Sequence, residues 1–149
     1  MSTYPRIAAA ALAALVLTAA CNRPDDEATR VDTAAGTVVA NDIAVTQIDI
    51  GKSIGADKRV ADATDNFMAT DTVYVAVATS GTAPSATLAA RWTYEDGQVV
   101  DQSSETISPT GPAVTEFHIS KPDGLPKGKY RVEVTLNGTP AGTKEFTVK

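Results

Sequence analysis

The sequence predicts an all-β domain, a two-sheet sandwich of about seven antiparallel strands behind an export segment and a flexible linker. Three observations predict it. From Ile43 onward, short runs rich in Val and Thr alternate apolar and polar side chains with the period of a strand. Turn residues punctuate those runs, among them Asp96-Gly97, Pro122-Asp123-Gly124 and Asn137-Gly138. No window of the chain places its apolar residues at helical spacing.

Residues 1–20 are expected to leave the mature protein. Arg6 supplies a short positive start, and Ile7 to Leu17 is an unbroken run of Ile, Ala, Leu and Val. That run suits a signal-peptide core and falls short of the roughly 20 apolar residues that span a bilayer. It ends in small residues, Thr18-Ala19-Ala20, directly before Cys21. Small residues fit a signal peptidase groove, and a thiol behind them is what a lipid transferase needs. Leu17-Thr18-Ala19-Ala20-Cys21 resembles the lipobox of bacterial lipoproteins, with Thr18 where a Leu usually stands. The resemblance implies cleavage before Cys21, a covalent diacylglyceryl thioether on it, and acylation, for instance by palmitate, of the new N-terminus. Several acyl chains together anchor far more firmly than one. Asn22 is not the Asp that often marks inner-membrane retention. The expected location is therefore the cell envelope, on the outer membrane, facing the periplasm or the cell surface. Cys21 is the only cysteine, which excludes an internal disulfide.

Residues 21–41 form the linker. Pro24, the acidic run Asp25-Asp26-Glu27 and the Ala, Thr and Gly that follow bury too little surface to offset the entropy of ordering them. A short strand at Val38-Val39 is not expected. The domain then spans residues 42–149.

Its first strand is placed at Ile43–Ile50, where Ile43 and Val45 share one phase and Ile48 and Ile50 the other. A bulge near Gln47 reconciles them. Gly51 to Thr70 is polar and uneven, with Phe67 as its anchor into the core. The second strand is Thr72–Thr79, with Val73, Val75 and Val77 on one face and Tyr74, Ala76 and Ala78 on the other. The third, Thr87–Glu95, puts Leu88, Ala90, Trp92 and Tyr94 inward, and Asp96-Gly97 turns it into a short return strand, Gln98–Asp101. Val114–Ser120 follows with Thr115, Phe117 and Ile119 inward and Glu116 and His118 outward. Tyr130–Leu136 buries Tyr130, Val132, Val134 and Leu136, with Lys129, Arg131, Glu133 and Thr135 toward water. Asn137-Gly138 begins the loop to a last strand holding Phe146 and Val148 inward. The core markers are Trp92, Tyr130, Phe117 and Phe146.

Leu125-Pro126-Lys127-Gly128-Lys129-Tyr130, followed by Val132 and Val134, resembles the entry to strand F of immunoglobulin-like and fibronectin type III domains. The resemblance implies that Tyr130 turns the corner between sheets with its hydroxyl bonded back to the backbone, and that Trp92 is the core Trp of strand C. It covers residues 43–149, lacks the inter-sheet disulfide of antibody domains, and speaks for a fold rather than a function.

Composition excludes several functions. The chain has 13 basic and 18 acidic side chains. Only Arg6 of these precedes Cys21, so the mature part carries a net charge of about −6. Nucleic acid wants clustered Lys and Arg, and anionic lipid wants a basic face. One His and one lipid-consumed Cys cannot build a metal centre, and His118 reads as a solvated surface residue. No Gly-x-Ser-x-Gly elbow, phosphate loop or calcium loop is present. Asp25, Asp26 and Glu27 sit in the linker, where no rigid frame sets a catalytic spacing. No enzyme and no cofactor beyond the lipid are expected. What remains is a module that docks on another envelope protein, through loops at one end of the sandwich or by strand addition along an exposed edge. Gln98, Val99 and Val100 are the candidate edge, which also reads as a short edge guarded by Asp101. A carbohydrate or peptidoglycan module, or a passive spacer, is the alternative.

Overall fold

Alternation is the rule that builds this domain. The computed structural model describes residues 42–149, so the export segment, Cys21, Val38-Val39 and the rest of the linker lie outside the described residues. Eight strands follow in order: β1 (Asp42–Gly51), β2 (Asn66–Phe67), β3 (Val73–Thr82), β4 (Ala86–Tyr94), β5 (Gln98–Ile107), β6 (Ala113–Ile119), β7 (Gly128–Leu136) and β8 (Thr139–Val148). They form a three-stranded sheet, β1-β3-β6, and a five-stranded sheet, β2-β8-β7-β4-β5. All pairings are antiparallel except the two-residue β2 on β8. The order β1-β3-β6 against β8-β7-β4-β5 is that of an immunoglobulin-like β-sandwich.

The inward faces meet in one core. Val73, Val75 and Val77 of β3, Leu88, Ala90 and Trp92 of β4, and Val132 and Val134 of β7 are fully buried. Phe146 stacks on Tyr130 at 5.1 Å and 13° and meets Trp92 and Phe67 edge-on. Such offset and edge contacts suit the ring quadrupoles. Phe67 enters through two routes: its carbonyl accepts from Lys149 N at 2.9 Å, and Thr147 N donates to Asp65 O at 2.8 Å. These bonds set β2 parallel to the end of β8.

The two phases of β1 are joined by a bulge. Val45 pairs with Thr79 and Gln47 with Ala78, which leaves Thr46 as the extra residue. Its Oγ1 donates to Ala78 O at 3.2 Å. At the corner before β7, Tyr130 Oη donates to Pro126 O at 2.7 Å. Gly128 is needed there, because a Cβ at φ +148° would sit 2.7 Å from the Tyr94 ring. The Tyr94 hydroxyl itself donates to Lys127 O at 2.8 Å.

Two turns differ from expectation. Only Gly97 has positive φ in the β4–β5 loop, which is three residues long (Glu95-Asp96-Gly97), with Asp96 Oδ1 accepting from Gln98 N. Asn137 and Gly138 both have positive φ and make the whole β7–β8 loop, braced by Thr87 N donating to Asn137 Oδ1 at 2.8 Å. The largest difference is β5. The sequence places its end at Asp101; the strand runs on to Ile107. Gln102-Ser103-Ser104-Glu105-Thr106 carries no apolar alternation, because an edge strand is held by its backbone pairing with β4 rather than by a buried face.

Candidate functional site

Backbone register decides which side chains of the five-stranded sheet gather on its outer face. Val99 pairs with Thr93, Thr93 with Arg131, and Arg131 with Glu145. One row thus crosses β5, β4, β7 and β8. A register shift beside Trp92 produces it: Asp101 pairs with Trp92 and Val99 with Thr93, which leaves Val100 as the extra residue. Val100 packs against the core, whereas Val99 is 44% exposed. Val99 and Met68 are the exposed large apolar side chains among the described residues. Of the expected edge contacts, Val99 is therefore the one that faces outward, with Gln98 exposed at the start of the strand.

Below this row lies a groove of about 850 Å³ lined by Asp65, Glu95, Lys129, Arg131 and Glu145, among others. It carries both signs of charge. Arg131 Nη2 meets Glu145 Oε1 at 2.8 Å, with both side chains more than half exposed. Exposed pairs of this kind add little to stability. They remain available to a partner's charges. Lys129, Arg131 and Glu145 come from polar positions of alternating strands, which the sequence shows, and Asp65 and Glu95 from the segments just outside β2 and β4. That they converge is a matter of register, which it does not show.

Tyr94, Tyr130 and Phe146 border the groove as well, but the large rings are buried. Trp92, Tyr130, Phe117 and Phe146 are between 0% and 5% exposed. Tyr74 is half-buried on the outer face of the three-stranded sheet, its ring 5.5 Å from that of His118. His118 Nδ1 lies 3.3 Å from Glu116 Oε2, and the His side chain is largely in solvent. Two titrations are displaced. Burial, then the neighbouring Tyr94 and Glu95, raises the Tyr130 hydroxyl above its ordinary value. The Met68 N–H and then Lys52 hold the Asp71 carboxyl below its ordinary range. Both groups are engaged in structural bonds, Tyr130 at its corner and Asp71 in the loop before β3. Among the described residues no three His, Cys, Asp or Glu side chains converge as a metal site, and no helix is long and apolar enough to cross a membrane. Cys21 lies outside the described residues.

No family model matches the chain, and no curated protein matches it. Among solved structures it is similar to an immunoglobulin-like protein from Pseudomonas aeruginosa, with 18% identity over 74% of this chain and 99% of that one, at a TM-score of 0.49. It is also similar to a CARDB domain from Pyrococcus furiosus in complex with di-metal ions, with 16% identity over 72% and 88% of the two chains and a TM-score of 0.44. A third likeness is to an alkylpurine DNA glycosylase of Pseudomonas fluorescens bound to DNA, at 15% identity and a TM-score of 0.44. That one covers 72% of this chain and only 30% of the glycosylase. No residue role is carried over from any of the three.

Proposed function

We propose that the protein is a lipid-anchored envelope module that docks on another protein through the outer face of its five-stranded sheet. One observation carries the reading: an exposed apolar Val99 stands in one row with the exposed Arg131–Glu145 pair, beside a groove of mixed charge. An apolar anchor rimmed by polar groups is how protein interfaces are built. A stacking platform for sugars needs exposed aromatic rings, and the large rings here fill the core. A non-enzymatic role fits the same surface, whose charged groups are exposed to solvent rather than held in a buried cleft.

In this reading residues 1–20 are the signal peptide, Cys21 carries the lipid, residues 21–41 tether the domain and residues 42–149 dock. The outer membrane is the proposed site of anchoring, supported by the lipobox-like Leu17–Cys21 and by Asn22. The lipid is then the only prosthetic group, and neither metal nor nucleic acid is a partner.

A photo-crosslinking amino acid at Thr93, compared with one at Gln47 on the other sheet, tests the docking face in living cells. The expected result is one discrete adduct from position 93, absent from position 47, and weakened when Cys21→Ser removes the anchor. Equal adducts from both positions, or none from position 93, would overturn the reading.

A further inference from the structure

The two sheets do not match in width. β1 lies against β8 at one margin, where Ile48 abuts Gly142, so β6 and β5 share the other margin. Each β5 residue that pairs with a buried inward residue of β4 should itself face the opposite sheet. Those residues are Asp101, Ser103, Glu105 and Ile107, paired with Trp92, Ala90, Leu88 and Ala86. Yet Asp101 and Glu105 are exposed and Ser103 and Ile107 only half-buried, while their β4 partners are buried. The three-stranded sheet therefore stops short of β5, and β5 overhangs beyond β6.

This overhang leaves room beside β6 for one more strand. Among the described residues β6 pairs with β3 on one side and is an edge on the other. An edge presents a row of backbone donors and acceptors to any extended segment that reaches it. Its inward residues Thr115, Phe117 and Ile119 carry no charge that would repel an added strand. β5 is a poorer acceptor, because charges in inward register guard an edge against pairing.

An occupant of the space would face β5 with alternate side chains. Asp101 and Glu105 lie four residues apart, about 13 Å along the strand. Neither takes part in an ion pair among the described residues. Between them Ser103 Oγ is buried without a hydrogen-bond partner. We infer that the β6 edge takes an extended, basic segment of a partner protein as a fourth strand, with two cationic side chains of that segment meeting Asp101 and Glu105. The inference rests on the protein-docking role proposed above but uses the inward side of the β5–β6 margin, whereas the Val99 row lies on the outer face of the five-stranded sheet, so either can fail alone. An acidic domain also draws a basic segment by long-range attraction.

The probe is a synthetic nine-residue peptide of alternating Val and Thr with Lys at its third and seventh positions. It is titrated into the domain with residue-resolved amide exchange as readout. The expected result is protection of β6 amides, with β5 amides unchanged. Methylating the peptide's alternate backbone nitrogens should abolish binding without touching the protein. D101K/E105K changes two exposed side chains, leaves the fold intact, and should weaken the peptide by about tenfold, two exposed ion pairs being worth that much. A peptide with Glu in place of Lys should then bind the variant better than the parent. No protection at β6, protection at β5 instead, equal binding of the methylated peptide, or indifference to D101K/E105K would each overturn the inference. So would a dimer in sedimentation that excludes the peptide, since the occupant would then be a second copy. The Thr93 crosslink is unaffected by any of these outcomes.

Discussion

Trp92 and Tyr130 show how much of the sandwich rests on single side chains. Trp92 is fully buried and touches Phe146 edge-on. Trp92→Ala removes that surface and leaves a cavity, at a cost of about 3–5 kcal/mol. A domain of this size has little more to lose, so chemical denaturation should find it largely unfolded. Tyr130 acts at two places: its ring stacks on Phe146 and its hydroxyl bonds Pro126 O. Tyr130→Phe keeps the ring and should cost about 0.5–1.5 kcal/mol for the lost hydrogen bond. The raised hydroxyl titration adds a pH signature. A group whose folded value is raised contributes stability that is full below its unfolded value and is lost as pH climbs through the folded one. Denaturation midpoints should therefore fall above about pH 10 in the parent, and fall less in Tyr130→Phe. His118 and Tyr74, by contrast, are side chains that the core does not need.

At the scale of the element, loops and edges hold more than their polar sequences announce. Gly51 to Thr72 contains little strand, yet Asp71 fastens it from both sides. Its Oδ2 accepts from Met68 N at 2.8 Å and from Lys52 Nζ at 2.9 Å. Both bonds favour the ionised carboxylate and lower its titration, the backbone donor more than the lysine. The stability this contributes is present above the ordinary carboxylate value and is lost as pH falls through the lowered one. Below about pH 4 the parent should lose stability through this group, and Asp71→Asn should flatten that part of the acid limb while lowering stability at neutral pH. Thermal melts from pH 2 to 7 would show it; identical acid limbs in the two proteins would remove Asp71 from the account. The strand β5 makes the opposite point. Its residues Gln102–Thr106 have the composition of a loop, and pairing with β4 alone makes them a strand.

Across the whole molecule, charge and sheet width define two separate surfaces. The outer face of the five-stranded sheet carries the Val99 row and the mixed-charge groove. The β5–β6 margin carries a backbone edge that is unpaired among the described residues, over acidic side chains. Thr93, Asp101 and Glu105 lie outside the buried core, so substitutions there probe docking without disturbing folding. On the remaining margin Lys144 is exposed, although its pairing with buried Val132 gives it inward register, and it guards the β8 edge as Asp101 and Glu105 guard β5. A domain held to a membrane by residues 21–41 would need such guarded edges, because anchoring raises its local concentration and with it the risk of strand-to-strand association.

The alternation of Val, Thr and aromatic residues by itself determined that the domain is a sandwich, which faces turn inward, that Phe67 anchors the irregular segment and that β1 bulges near Gln47. Those features depend on local period and on which side chains avoid water, and both are written along the chain. Only the tertiary structure decided that β5 reaches Ile107, that β2 joins β8 in parallel, that Val99 rather than Val100 faces outward, and that the sheets differ in width. Each of these depends on register between strands distant in sequence. A one-residue shift there exchanges the two faces, and no single strand's pattern records its partner's alignment.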